Sequence, residues 1–275
     1  MKLVTYNLYP FVTESLKEEH EIIQTNKSSK LLHLLEKYKP NKSIIFGWDK
    51  GALSALHNES IIFPNVKQRA LLSRIAASRE LHKLTRIDNK YSQYIGYLST
   101  TLGEYAEWHT RSKDSGIDKW VLKVGDEHQG KGKYLCAYNE LSIAFISGLA
   151  KGKTVVIEPY VPGRSIRALV LGKKVYLIEQ INDYWIKNIN PIREEVLPQG
   201  SLEIIEHDGL YIAEQLGVEL LAVDYQVSGA DPRDILPLEI NIMPGVPDMV
   251  KNQELLDQIK VEYTNTFSNM LRKVK

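Results

Sequence analysis

The chain has 275 residues, 43% of them hydrophobic and 25% charged, which is ordinary for a globular protein with room for one large α/β domain or two to three smaller units. Its 35 Lys and Arg against 34 Asp and Glu give a net charge of +1. That balance excludes bulk attraction to nucleic acid or to an anionic membrane, and leaves open only a local basic patch for a phosphate-bearing ligand.

The single cysteine, Cys136, has no internal disulfide partner, and the seven histidines lack the short spacing of a structural zinc site. No window reaches the ~20 apolar residues of a membrane-spanning helix. The opening Met1–Tyr6 runs directly into Asn7 and Pro10 without a signal-peptide core, so a cytoplasmic location is expected.

The first third alternates strand and helix patterns. Leu3–Leu8 reads as a strand, Lys30–Tyr38 as a helix with Leu31, Leu32, Leu34 and Leu35 at helical spacing, and Ser43–Phe46 as a short strand. A helix over Gly51–His57, a strand over Ile61–Phe63 and a long helix over Val66–Leu84 follow. Such alternation predicts a small α/β unit on a mostly parallel sheet. Residues 88–118 are polar and tyrosine-rich, with a strand expected near Tyr94–Leu98 and a helix over Leu102–Thr110.

From Trp120 the pattern sharpens. Trp120–Val124 is a strand, Tyr134–Cys136 its return, and Glu140–Leu149 a helix. Strands are predicted over Val155–Glu158, Ser165–Leu171, Lys174–Ile181, Leu220–Val227 and Ile235–Ile242, with Gly172-Lys173 as a hairpin turn. Asp208–Leu216 reads as a helix closed by Gly217, and Asn252–Lys273 as the last helix. No internal repeat or low-complexity tract interrupts them.

Four segments carry chemistry. In Lys123-Val124-Gly125-Asp126-Glu127-His128-Gln129-Gly130-Lys131-Gly132-Lys133, a strand-end lysine precedes a loop whose Gly130 and Gly132 allow backbone N–H groups close to a polyphosphate. Lys131 and Lys133 add charge; a solvated basic hairpin is the plainer alternative. Glu158-Pro159-Tyr160-Val161-Pro162-Gly163 is a stiff extended segment, able to present backbone groups to an adenine edge or simply to join two units. Arg167 interrupts an apolar strand and faces either solvent or a phosphate site. In Trp185-Ile186-Lys187-Asn188-Ile189-Asn190-Pro191, a lysine and two asparagines either line an anionic site or cap turns.

The fourth segment speaks most clearly. Glu239 and Asn241 alternate on one strand and therefore share a face, about 7 Å apart. Asp224, expected on a neighbouring antiparallel strand, completes an all-oxygen set suited to Mg²⁺. Three polar residues on an exposed sheet face are the alternative, which the apolar surroundings disfavour.

Taken in order, these segments resemble the ATP-grasp superfamily. The Lys-x-Gly-x-x-His-x-Gly-x-Gly-Lys run, the Glu158–Val161 hinge and Trp185–Asn188 are similar to synapsin nucleotide-binding domains. The ending Asp224…Glu239-Ile240-Asn241-Ile242-Met243-Pro244-Gly245 is closer to glutamate-adding amino-acid ligases of the same superfamily. The resemblance spans about Trp120–Asp248.

It implies an α/β (α+β) fold: a small N-terminal α/β pre-ATP-grasp domain (1–85), a central lid subdomain (86–156) and a C-terminal subdomain with the metal site (157–275). ATP would lie between the last two. Lys123 would bind the α- or β-phosphate, Gly130–Lys133 would close over the phosphates, and Glu158, Tyr160 and Val161 would hold adenine. Arg167 would stabilise the transferring phosphoryl group, and Lys187, Asn188 and Asn190 would line the nucleotide or acyl-phosphate site. Asp224, Glu239 and Asn241 would hold two Mg²⁺ ions, with Mn²⁺ able to take their place.

Family members carry a second phosphate lysine, for which Lys83 fits better than Lys90. Where many relatives have an acidic residue before the Ile-Arg pair this chain has Ser165, so the ribose contact stays unassigned. The implied activity is an ATP-dependent carboxylate–nucleophile ligase that forms C–N bonds through an acyl phosphate. The alternatives are a synapsin-like ATP-binding regulator without turnover and a small-molecule kinase. Beyond ATP, the implied partners are an unidentified carboxylate and nucleophile, with no membrane or nucleic acid; relatives are often homo-oligomers.

Overall fold

The computed structural model describes residues 2–39, 42–46, 60–63, 68–98, 102–126, 132–149, 152–185, 192–196, 199–242, 244–245 and 250–273. Its strands form three sheets, one per stretch of chain.

The first comprises β1 (Lys2–Tyr6), β2 (Glu21–Thr25), β3 (Lys42–Phe46) and β4 (Ser60–Phe63), all parallel, in the order β2-β1-β3-β4. Leu3 and its neighbours Val4 and Tyr6 are buried on opposite faces, which is why β1 reads as a continuous apolar run. Helices α1 (Pro10–Leu16) and α2 (Ser28–Tyr38) link the first three strands. Neither α1 nor β2 is legible in the sequence. The seven residues of α1 span too few turns to show a period, and β2 is a half-exposed edge whose Ile22 and Ile23 sit side by side rather than alternating. The helix expected over Gly51–His57 lies outside the described residues.

The long helix expected over Val66–Leu84 breaks in two. A 3₁₀ turn over Gln68–Leu72 is followed by α3 (Arg74–Leu84), because Ser73 is extended at φ −74°, ψ 124° and starts the second helix afresh. This break sets Arg74 at a helix N-terminus.

The second sheet, ordered β5-β8-β6-β7, is antiparallel and contains β5 (Gly96–Leu98), β6 (Lys119–Val124), β7 (Lys133–Ala137) and β8 (Val155–Pro159). Helices α4 (Leu102–Ser112) and α5 (Leu141–Leu149) cover one face, where Trp108 meets Trp120 edge-on at 5.0 Å and Tyr105 stacks on Phe145 at 4.5 Å. The alternation of β6 sends Trp120, Leu122 and Val124 into that core. It leaves Val121 and Lys123 on the other face, in a cleft.

The third sheet, ordered β11-β10-β9-β12-β13, is antiparallel: β9 (Arg164–Leu171), β10 (Lys174–Ile181), β11 (Ile192–Glu195), β12 (Leu220–Val227) and β13 (Ile235–Asn241). Helix α6 (Ser201–Leu216) covers the face bearing Ile166, Ala168, Val170, Leu221 and Val223. It begins well before the expected start at Asp208. Asp208 looks like a helix cap, but its carboxylate is a buried acceptor for the Arg86 N–H (2.6 Å) and the Thr85 and Tyr225 hydroxyls (both 2.9 Å). Gly209 sits mid-helix because a Cβ there would lie 3.2 Å from the Ala168 side chain, so its absence lets α6 approach the sheet.

The opposite face changes character along the strands. Leu169, Leu171, Leu220, Ala222 and Ile178 pack beneath α7 (Gln253–Lys273) through Ile259, Tyr263 and Phe267, in one core with Leu3, Val12 and Leu16 of the first unit. Past the edge of that core the same face turns polar, with Arg167, Asp224, Ser165, Gln226 and Gln180 following in sequence alternation. This polar stretch floors the cleft.

Candidate ATP-binding site

A cleft of about 610 Å³ is lined by β6, the β7 start, the β8 end and the polar ends of β9, β10, β12 and β13. Among the residues on its walls are Lys123, Lys133, Glu158, Tyr160, Val161, Asp224 and Glu239. A smaller cavity of about 390 Å³ adjoins it through Lys123, Leu238 and Glu239, and adds Arg74, Ser78 and Asp126.

Lys123 is only 4% exposed. Its ammonium donates to the Glu158 carboxylate at 2.7 Å and to the Leu238 carbonyl at 3.0 Å. The second contact arises from a bulge. Asp224 pairs with Glu239 but Tyr225 pairs with Pro237, which leaves Leu238 as the extra residue on β13. Pro237 has no N–H to give a ladder, and β13 is a sheet edge, where such a residue is tolerated. Burial pushes the Lys123 ammonium below the ordinary lysine range; Glu158 pulls the other way and Lys133 adds to the depression.

Asp224 lies between Arg167 and Glu239 in register across β9, β12 and β13. Arg167 grips it with two parallel bonds, Nε to Oδ1 at 2.7 Å and an Nη to Oδ2 at 2.8 Å. Although burial opposes its charge, Asp224 holds the guanidinium above the ordinary arginine range. Lys133 bonds Glu239 at 3.2 Å. Burial alone would raise the Glu239 carboxyl, but Lys133, Lys123 and Arg74 outweigh it and hold it at about 2, so it is ionised at neutral pH.

Asn241 lies two residues along from Glu239 on β13, opposite Ala222. Among the described residues no group of three or more His, Cys, Asp or Glu is arranged to hold a metal. What the adjacent strands offer a cation there is two carboxylates and a carboxamide, with the Asp224 oxygens bonded by Arg167 and Gln180. That set fits a hard cation that keeps waters and takes phosphate oxygens for its remaining ligands.

The structure thus brings Lys123, Lys133, Glu158, Tyr160, Val161, Asp224 and Glu239 to one cleft, with Arg167 on its floor. Gly132 has φ +68°, and a Cβ there would meet the Val124 carbonyl oxygen at 2.5 Å, so the bare glycine serves closure of the β6–β7 hairpin. Gly130, Lys131, Lys187, Asn188 and Asn190 lie outside the described residues. Lys83, expected as the second phosphate lysine, is elsewhere: it is 73% exposed on α3, 3.6 Å from Glu80. Lys90 is ion-paired with Asp234 on the surface.

Arg74, which sequence reasoning missed, opens α3, lines the adjoining cavity and helps hold Glu239 ionised. Its backbone N–H is bonded by Asp126 at 2.6 Å, from the loop after β6. The signal was Ser73, a helix-starting residue placed inside what reads as one long helix. Gln180 and Gln226 on the cleft wall were likewise unmarked, and Trp185, also on that wall, entered only as the first residue of the Trp185–Pro191 segment.

The fold is shared by many solved structures. Over 99% of its length the chain superposes on 96% of D-alanine–D-alanine ligase from Bacillus anthracis complexed with ATP, with a TM-score of 0.63 and 16% identity. The D-cycloserine synthetase DcsG matches with a TM-score of 0.66 and 13% identity, over 98% of this chain and 100% of that one. A RiPP-associated ATP-grasp ligase from Chryseobacterium gregarium, in complex with ADP and a leader and core peptide, matches at 0.66 and 14%, over 98% and 97%. No family model and no curated protein matches the sequence. The chain has the ATP-grasp fold, as its motif order led one to expect. At these identities the likeness defines the fold and leaves the particular reaction to the site.

Proposed function

We propose that the chain is an ATP- and Mg²⁺-dependent ligase that joins a carboxylate to an amine or other nucleophile through an acyl phosphate. The observation that carries this is the meeting of Lys123, Lys133, Asp224 and Glu239 in one cleft beside the Glu158–Val161 hinge. The D-alanine–D-alanine ligase and RiPP-associated structures, with ATP and ADP in their respective complexes, support it.

In this reading the hinge offers backbone groups to adenine, and Tyr160 and Val161 flank the ring. Lys123 and Lys133 lie where a triphosphate would, with Arg74 rather than Lys83 as the further cation. Glu158 and Glu239 hold the two lysines in the structure, and polyphosphate oxygens would join those carboxylates as further acceptors, since an ammonium has three donors. Asp224, Glu239 and Asn241 would hold the magnesium, which supplies charge neutralisation at the phosphate oxygens. Arg167, fixed by Asp224, stabilises charge on the transferring phosphoryl group. A substrate carboxylate oxygen attacks the γ-phosphorus and releases ADP; the nucleophile then attacks the acyl carbon and releases phosphate. Catalysis rests on positioning and charge neutralisation more than on proton transfer. The loop residues Gly130, Lys131, Lys187, Asn188 and Asn190 keep the roles their motifs imply.

The test is calorimetric titration of ATP with and without Mg²⁺ into the wild type and Glu239→Ala, followed by ADP release in a screen of carboxylate–amine pairs. Magnesium-dependent binding that weakens in the variant, and ADP formed with a matching pair, are expected. Tight ATP binding without ADP from any pair would leave a binding module, and a phosphorylated product in place of an amide would make the protein a kinase.

A further inference from the structure

Across β10, β9 and β12, three neutral polar residues share the cleft floor: Gln180, Ser165 and Gln226. Ser165 pairs with Gln226 in register, and Gln180 follows Glu179, whose partner on β9 is Ile166. All three line the cleft. Gln180 is 2% exposed. Its amide nitrogen donates to Asp224 Oδ1 at 3.1 Å. An ionised carboxylate only accepts hydrogen bonds, so this contact fixes which end of the amide is nitrogen. The other end, Oε1, is a buried acceptor with no hydrogen-bond partner among the described residues. A buried acceptor without a donor is costly, and one on the wall of a cleft points to a ligand that brings the donor.

The order of residues along β9 says which part of a ligand that is. The hinge ends at Val161–Gly163, Ser165 comes next, and Arg167 with its partner Asp224 lies two residues further, about 7 Å on. In ATP the ribose lies between base and phosphates. Resting on the nucleotide reading above, we infer that Gln180 is the specificity residue for the nucleotide sugar, its Oε1 accepting a hydrogen bond from a ribose hydroxyl. Ser165 and Gln226 flank that contact. The row itself carries no carboxylate to chelate the diol, and the adjacent Asp224 is bonded by Arg167 and Gln180 and is assigned above to the metal. Sugar discrimination therefore rests on one neutral hydrogen bond and is modest.

The experiment is calorimetry of ATP, 2′-deoxy-ATP and 3′-deoxy-ATP, each with Mg²⁺, on the wild type, Gln180→Leu and Gln226→Leu. In the wild type one of the two deoxy analogues binds about fivefold to tenfold more weakly than ATP, the loss of a single neutral hydrogen bond. In Gln180→Leu that ratio falls to about one, whatever happens to overall affinity, since a merely structural defect weakens all three nucleotides alike. Gln226→Leu, which leaves Gln180 and Asp224 in place, keeps the larger part of the ratio. Equal ratios in wild type and Gln180→Leu, with ATP bound by both, overturn the inference alone. Absence of ATP binding by the wild type overturns the nucleotide reading and this inference with it.

Discussion

Arg167 and Asp224 face each other directly across β9 and β12 and are joined by two hydrogen bonds of 2.7 and 2.8 Å. Both side chains are nearly sealed from solvent, at 13% and 12% exposure. The pair therefore acts as one unit, structural and chemical together. Removing one partner strands a charge on the cleft floor. Arg167→Met is expected to lower stability by about 3 kcal/mol, as breaking buried pairs does. In urea denaturation, the double variant Arg167→Met/Asp224→Leu should recover a large part of that loss while staying inactive. Equal stability of wild type and Arg167→Met would show that the pair is solvated in solution.

The Lys123 ammonium is held by the Glu158 carboxylate and by the bulged Leu238 carbonyl. Lys123→Ala should abolish measurable ATP binding in calorimetry. Lys123→Arg should fail too, because the planar guanidinium does not fit a site built round a compact ammonium. Retained affinity in either variant would move the phosphate site away from this strand.

The two ring nitrogens of the part-buried His82 on α3 are sealed from solvent and have no hydrogen-bond partner among the described residues; the ring lies 6.4 Å from Tyr97, centre to centre. Burial, with a further push from Lys123, lowers its pKa from 6.5 to about 4. The folded state thus keeps His82 neutral where the unfolded chain protonates. Its contribution to stability is whole above pH 6.5 and is lost as pH falls through about 4. By linkage that loss approaches about 3 kcal/mol. Urea midpoints at pH 7 and pH 4.5 should differ more for the wild type than for His82→Gln; identical acid sensitivity would place the lability elsewhere.

Gly163 ends the hinge at φ +148°, and a Cβ there would lie 2.2 Å from the Val227 carbonyl oxygen. Gly163→Ala should cost about 1–3 kcal/mol. It should also weaken ATP binding, because Val161 and Tyr160 are two and three residues away. Thermal denaturation and calorimetry on the same variant check both; an unshifted Tm would mean the hinge rearranges freely.

How much of this was legible depended on range. The strands β6, β8, β9, β10, β12 and β13 were readable because each is an apolar run bounded by turns, and alternation alone put Glu239 and Asn241 on one face. The short α1, the edge strand β2 and the start of α6 were not, since local pattern is weak at edges and Asp208 and Gly209 carry turn-like signals inside a helix. Lys83 is preferred to Lys90 on sequence alone, and Arg74 goes unmarked because both halves of the Val66–Leu84 stretch share helical periodicity, which outweighs the single helix-starting Ser73.

The sequence by itself determined the local elements, the faces they present and the order of phosphate, hinge and carboxylate motifs. Those follow from backbone periodicity and residue chemistry within a few positions. Only the tertiary structure decided that Arg167 meets Asp224, 57 residues on, and that Lys123 reaches the Leu238 carbonyl, 115 residues on. It also decided that Arg74 stands beside Glu239. Such contacts depend on strand register, on one bulged residue and on where a helix restarts. A shift of a single position in any of these turns the side chain to the other face.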